Sequence, residues 1–126
     1  MRAGCDKHKI ASVAALRAQN ALQKKIVEGS RLHIPVDFTA ESLHSGGHSG
    51  TTIFPMGQGV GATWNVSMAE RVGAAIAREA RASGVAHGLC PVINIPTDPR
   101  FGRTQESYGE VSRAITSDAF PASQNL

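Results

Sequence analysis

The spacing of hydrophobic positions changes several times along the chain, and each change marks an element. Residues 12–28, SVAALRAQNALQKKIVE, place Val13, Leu16, Leu22, Ile26 and Val27 toward one side at helical spacing, and Gly29 follows as a stop. Residues 32–38, LHIPVDF, form a short β-type run. SGGHSG, residues 45–50, is a flexible loop. Residues 53–61 carry Pro55, Gly57, Gly59 and Gly61 and are expected to be loop or irregular strand. The next helix is the best marked. Ser67-Met-Ala-Glu70 has the pattern of a capping box, in which the serine hydroxyl accepts from the Glu70 amide and the glutamate reaches back to the Ser67 amide. Met68, Val72, Ile76 and Ala80 then fall four apart on one stripe, and Gly84 ends the helix. GLCPVINI, residues 88–95, is a nearly continuous apolar run, the pattern of a strand buried on both faces.

Helix, short loop and buried strand in that order are the rhythm of an α/β protein with a parallel sheet. No internal repeat or low-complexity segment interrupts it. With 126 residues the chain is one domain by length, and 41% hydrophobic with 18% charged residues is a globular composition. No apolar run approaches the roughly 20 residues of a membrane-spanning helix, and the N-terminus lacks the continuous apolar core of a signal peptide. Two cysteines are too few for a disulfide framework. Cys5 is flanked by charges, whereas Cys90 stands in the apolar run and is expected to be a buried thiol.

The net charge of +3 is uneven: residues 1–31 hold seven basic side chains against two acidic ones, an excess that leaves the remainder of the chain negative. A basic helix suits nucleic acid, but the aromatic interleaving of a single-strand binder is missing, and a solvated helix face is the better reading. No nucleic-acid or membrane partner is expected.

Thr97 to Glu110, TDPRFGRTQESYGE, carries the candidate chemistry. Asp98, Arg100, Arg103, Glu106 and Glu110 alternate with Pro99, Gly102 and Gly109 and with the rings of Phe101 and Tyr108. The stretch begins where the predicted parallel strand ends. In parallel α/β folds the loops at the carboxyl ends of strands build the site, so charges held by Gly and Pro turns there are placed to meet a polar ligand. A surface loop whose Asp and Arg satisfy each other is the alternative, and the stretch alone does not separate the two.

Four ordered blocks carry a resemblance: ALQKKIVEGSRLHIPV, ESLHSG, TTIFPMGQGVGATWN and GLCPVINIPTDPRFGRTQESYGE. From Ser30 to Glu110 the chain resembles the N-terminal catalytic domain of glycoside hydrolase family 3, the β-glucosidase and β-xylosidase type. The resemblance implies a TIM-barrel fold, here about the first three βα units of a (β/α)8 barrel with parallel strands. It divides the chain into an N-terminal helical segment (1–29), the family segment (30–110) and a divergent C-terminal tail (111–126). It implies a retaining β-glycosidase without a cofactor, acting on a β-linked glucoside, xyloside or oligosaccharide. The second arginine of the family's Asp-Pro-Arg motif holds sugar hydroxyls in subsite −1, a role that falls on Arg103. The carboxylate before the family's Ala-Leu/Val-His-Gly element does the same, a role that falls on Glu41. Many members have Asp there, and the longer Glu shifts the hydroxyl it reaches. A carboxylate accepts from neighbouring hydroxyls and a guanidinium donates in a rigid fork. Glu106, three residues after Arg103, is expected to orient it, and Asp98 and Arg100 to brace the loop. Trp64 is expected to pack beside the capped helix rather than to stack on sugar.

The family's remaining machinery has no counterpart. A retaining glycosidase needs two carboxyl groups about 5–5.5 Å apart. In the family the nucleophile is an Asp in a Ser-Asp-Trp context, preceded by a Lys-His pair. Ser117-Asp118 is followed by Ala119-Phe120 and comes too soon after Arg103, so Asp118 is set aside as a decoy. The expectation is a fragment carrying part of the −1 subsite without nucleophile or acid/base, by itself inactive; the alternative is a non-catalytic sugar-binding remnant or a non-functional truncated product. His44 and His48 are four apart, but Ser45-Gly46-Gly47 separates them and no third ligand is placed nearby, so no metal site is expected. Asn65-Val66-Ser67 is a glycosylation sequon. Localisation stays open, since members are often secreted or periplasmic. Three strands of a barrel leave unpaired edges. The isolated chain is therefore expected to be poorly stable, to aggregate or to need the rest of the barrel, and sedimentation with thermal unfolding checks this: a monodisperse, cooperatively unfolding monomer would contradict it.

Overall fold

The computed structural model describes residues 4–110, with side chains from Val13 onward. Helix α1 spans Gly4–Gly29, starting earlier than the apolar pattern predicts. None of its five predicted inward residues is buried, and Val13 and Leu22 are 46% and 48% exposed. The helix docks instead through two side-chain amides one turn apart. Gln19 Nε2 donates to the Gly84 carbonyl at 2.8 Å. Gln23 donates to the Val36 carbonyl at 3.1 Å and accepts from the Val36 amide at 3.0 Å. An amide carries the same donor and acceptor as a backbone unit, so Gln23 serves Val36 as a neighbouring strand would. Lys24, Lys25 and Glu28 interrupt the apolar side and leave this polar docking in its place.

Strand β1 is Thr39–Ala40, helix α2 is Gly57–Gly61, helix α3 is Val66–Ala82 and strand β2 is His87–Gly88. The two strands pair in parallel with Thr39 beside His87 and Ala40 beside Gly88. Helix α3 is thus the crossover of a single βαβ unit. The pairing falls just past the predicted run of residues 32–38, of which Leu32 and Ile34 are 58% and 61% exposed. Phe38 still joins the ladder, its carbonyl accepting from the amides of Ala86 and His87 at 2.9 and 3.3 Å.

Three further expectations change. The apolar run after Gly88 is not buried on both faces: Leu89, Ile93 and Ile95 are 49%, 63% and 45% exposed. Burial of that kind needs a strand on each side and a layer on each face; among the described residues the run has one ladder with β1 and one parallel bridge, Val92 to Ser107. The glycine-rich stretch before Ala62 is partly helical, as α2. Helix α3 is capped not by Ser67 but by Asn65, whose side chain accepts from the Met68 amide at 3.0 Å. Both are good caps. Of the expected stripe Ile76 and Ala80 are buried, joined by Ala69 and Gly73 in place of Val72 and of Met68, which is 41% exposed. The helix end is as expected. The Val85 amide returns to Ala80 and the Gly84 amide to Arg81, at 3.0 and 3.1 Å, the paired bonds of a Schellman turn. Trp64 does not pack; it is 63% exposed with a left-handed φ of 52°.

The core lies between α2, α3 and residues 106–108, centred on Val60, Ala69 and Tyr108. Its geometry requires glycine twice. Gly57 and Gly61 face the neighbouring backbone so closely that a Cβ would fall on the carbonyl oxygens of Glu106 and Tyr108 respectively. Backbone cannot yield as a side-chain tip does, so Gly57→Ala and Gly61→Ala are each expected to destabilise the chain by about 1–3 kcal/mol. Gly59→Ala, whose Cβ would meet only Pro55 Cβ at 3.3 Å, is expected to cost less. Chemical denaturation of the three variants decides the matter, and equal losses would contradict the close-approach explanation.

Candidate functional site

Two 3-10 turns shape the charged loop after β2. The first, Pro99–Phe101, is capped by Asp98, which accepts from the Arg100 amide at 2.9 Å. Arg100 then folds back on its own cap. Its Nε lies 3.0 Å from both Asp98 oxygens, and its Nη2 lies 2.5 Å from Oδ2. These bonds hold the Asp98 carboxyl below the usual carboxylate range, the side-chain bonds more than the backbone one. Arg100 is 88% exposed, so the pair is local and open to solvent.

Gly102 reverses the chain next, with a φ of 78° that side-chain-bearing residues rarely adopt. The second turn, Thr104–Glu106, sets Glu106 three residues past Arg103. Both Nε and Nη2 of Arg103 lie 2.6 Å from Glu106 Oε2. The Glu106 side chain is only 17% exposed, whereas that of Arg103 is 51% exposed. One edge of the guanidinium is therefore fixed and the other is available. Ser107 closes the loop: it is fully buried, its Oγ donates to the Thr104 carbonyl at 2.8 Å, and it bridges to Val92.

Glu41 comes from the other strand, immediately after β1. Its Oε2 stands 3.7 Å from Arg103 Nη2, and its side chain is 62% exposed. That separation is longer than a hydrogen bond, so charge holds the two together while the carboxylate keeps acceptor capacity. The structure thus brings Glu41, Arg103 and Glu106 into one cluster and keeps Asp98 and Arg100 as a separate pair beside it. A fork of N–H donors facing a carboxylate acceptor is an arrangement that fits a polyhydroxylated ligand.

One residue of this region escaped sequence reading as a site candidate. Cys90 is a free, half-buried thiol, pushed up to about 11 by burial first and by the Glu41 carboxylate second. Only the parallel register reveals its place: with Ala40 beside Gly88, Ser42 comes beside Cys90. Ser42 and Cys90 share a small cavity of about 20 Å³ with Gly57, Val60, Ile76 and Tyr108.

His44 is engaged within its own loop. Its Nδ1 lies 3.1 Å from the Phe54 carbonyl, while the Phe54 amide donates to the His44 carbonyl at 2.7 Å, a reciprocal closure of the loop between them. Among the described residues no three His, Cys, Asp or Glu side chains gather as metal ligands, and no helix is long and apolar enough to cross a membrane. Cys5, Asp118 and the tail from residue 111 lie outside the described side chains.

Comparison with known proteins finds one family model and several relatives. The model of the Glycosyl hydrolase family 3 N terminal domain matches residues 5–120, reaching past the 30–110 segment at both ends. A beta-xylosidase of Formosa agariphila is 35% identical over 111 residues, covering 78% of this chain and 15% of its own. The periplasmic beta-glucosidase of Salmonella typhimurium is 32% identical, covering 71% and 11%. Beta-xylosidase/alpha-L-arabinofuranosidase 1 of Medicago sativa is 39% identical, covering 78% and 16%. The chain spans less than a fifth of the length of these relatives.

The exposed pair gives a pH test. A carboxyl whose pKa is depressed in the fold keeps its charge until pH falls below the usual carboxylate range. Arg100→Ala removes the guanidinium and is expected to raise the Asp98 titration midpoint toward its ordinary value. Carbon-detected NMR of the carboxyl group reads this, and an unmoved midpoint would contradict the pairing.

Proposed function

The chain belongs to glycosyl hydrolase family 3, and on that premise we propose that it forms the sugar-holding part of a retaining β-glycosidase site, on about the first three βα units of a TIM barrel. Arg103 and Glu41 bind hydroxyls of the sugar in subsite −1. Glu106 orients Arg103, and Asp98 with Arg100 braces the loop. The substrates are β-linked xylosides or glucosides, the classes named for its relatives. No cofactor takes part, and neither nucleic acid nor membrane is a partner.

The observation that carries this reading is the guanidinium of Arg103 pinned through Nε and Nη2 by Glu106, with Glu41 approaching the same Nη2 at 3.7 Å. A free arginine loses about 2 kcal/mol of rotamer entropy on being ordered. The clamp meets that cost before the ligand arrives. Burial of Glu106 strengthens the pair relative to a fully exposed one.

None of these side chains is suited to the bond-breaking steps. Glu106 accepts twice from one arginine, and Glu41 stands against the same guanidinium. On this reading none of the site's described carboxylates is the nucleophile or the general acid that a two-carboxylate mechanism requires, and the chain alone binds sugar without hydrolysing it.

Titration with methyl β-xyloside and methyl β-glucoside, followed by NMR at Arg103 Nε, tests the proposal. Saturable binding is expected. Arg103→Lys keeps the charge but loses the fork, and Glu41→Gln loses the charged acceptor. Each is expected to weaken binding by roughly ten- to hundredfold, the worth of one charge-assisted hydrogen bond, about 1.5–3 kcal/mol. Lys24→Ala, in an exposed pair with Glu28 on α1, is expected to bind as the parent does. Absence of saturable binding, or an Arg103→Lys variant equal to the parent, would overturn the proposal.

A further inference from the structure

The ends of the two strands bring together residues that are far apart in sequence. Ala40 pairs with Gly88, and the Leu89 amide donates to the Ala40 carbonyl at 2.9 Å, so the parallel register continues past the ladder. Glu41 then points from one strand end while Cys90 follows from the other, with Ser42 beside it. Gly88 keeps this corner tight: a Cβ there would stand 3.3 Å from Ser42 Oγ and 3.5 Å from Cys90 Sγ.

Two observations mark this corner as a place for a ligand group. Ser42 is 1% exposed, yet its Oγ has no hydrogen-bond partner. A buried hydroxyl in that state is uncommon and calls for a polar neighbour. The cavity that Ser42 shares with Cys90, about 20 Å³, is large enough for one water-sized group. Cys90 is half-buried rather than enclosed.

Resting on the sugar-binding reading above, we propose that Cys90 and Ser42 form the floor of the site. The sugar hydroxyl held by Glu41 lies against the Cys90 sulfur, and the cavity behind takes one hydroxyl-sized group that bonds to Ser42 Oγ. Cys90 is then a specificity-determining residue, because its size sets how deep the ligand sits. A thiol suits this position chemically. Burial and the Glu41 carboxylate keep it protonated at neutral pH, so no second negative charge meets Glu41.

Thiol protection tests this directly. In a Cys5→Ser variant Cys90 is the sole cysteine. Its reaction with methyl methanethiosulfonate at pH 9 is followed by intact mass, with and without saturating methyl β-xyloside. The thiolate attacks the reagent's sulfenyl sulfur, forming a mixed disulfide and releasing methanesulfinate. Bound sugar is expected to slow the reaction at least tenfold. Cys90→Val puts a branched side chain where the sulfur stood and is expected to weaken sugar binding at least tenfold, whereas Cys90→Ser stays within about threefold. Sugar that binds, by the Arg103 signal, without slowing the reaction would overturn the floor while leaving the sugar site standing. A Cys90→Val variant that binds like the parent would do the same. If the parent binds no sugar, the sugar site fails and the floor falls with it. The protection arm uses native Cys90 and so does not depend on the folding of either Cys90 variant.

Discussion

Glu106 faces two ways, and the site depends on both. Its carbonyl lies where a Cβ of Gly57 would be, and its carboxylate takes the Nε and Nη2 of Arg103. Packing of α2 on the backbone at residues 106–108 therefore sets the position of the group that aims the arginine. Gly57 and Gly61 allow that packing because they present bare backbone, one turn apart, to the carbonyls opposite. Interiors are close-packed and transmit small displacements, so a misfit under Glu106 reaches Arg103 through one side chain.

Two arginine–carboxylate pairs sit within a few residues of each other and have different weight. Asp98 and Arg100 satisfy each other in solvent, where screening leaves such a pair little net energy. Arg103 and Glu106 are alike in chemistry, but the carboxylate is mostly covered and the guanidinium half-open. That asymmetry is what makes an arginine useful to a ligand: one edge holds it still and the other is free to donate. Glu41, arriving from a different strand, then makes the site two-sided, with donors facing an acceptor.

The apolar segment after β2 shows how packing overrides pattern. Its composition reads as a strand covered on both faces, yet Leu89, Ile93 and Ile95 are substantially exposed. The same holds for α1, whose apolar side stays open while Gln19 and Gln23 do the docking. Periodicity records which side chains favour burial; what covers them depends on neighbouring layers. The N-terminus of α3 also differs: Asn65 and Ser67 are both good caps, and the buried stripe keeps Ile76 and Ala80 while Ala69 and Gly73 replace Met68 and Val72.

Sequence by itself determined the local matters: the helix through Ile76 and its Gly84 ending, the turn-forming Pro and Gly residues of the charged loop, and the presence of Glu41, Arg103 and Glu106 in the motifs that mark the family. These rest on neighbours a few residues away, where propensity, capping and turn chemistry act. Tertiary structure alone decided that Glu106 and Glu41 both approach the Nη2 of Arg103, that Arg100 is spent on Asp98, and that Ser42 and Cys90 line one small cavity. Those placements follow from the parallel register of two very short strands and from the glycine-permitted approach of α2 to residues 106–108. Both join segments separated by a whole helix, and no local pattern in either segment encodes the distance between them.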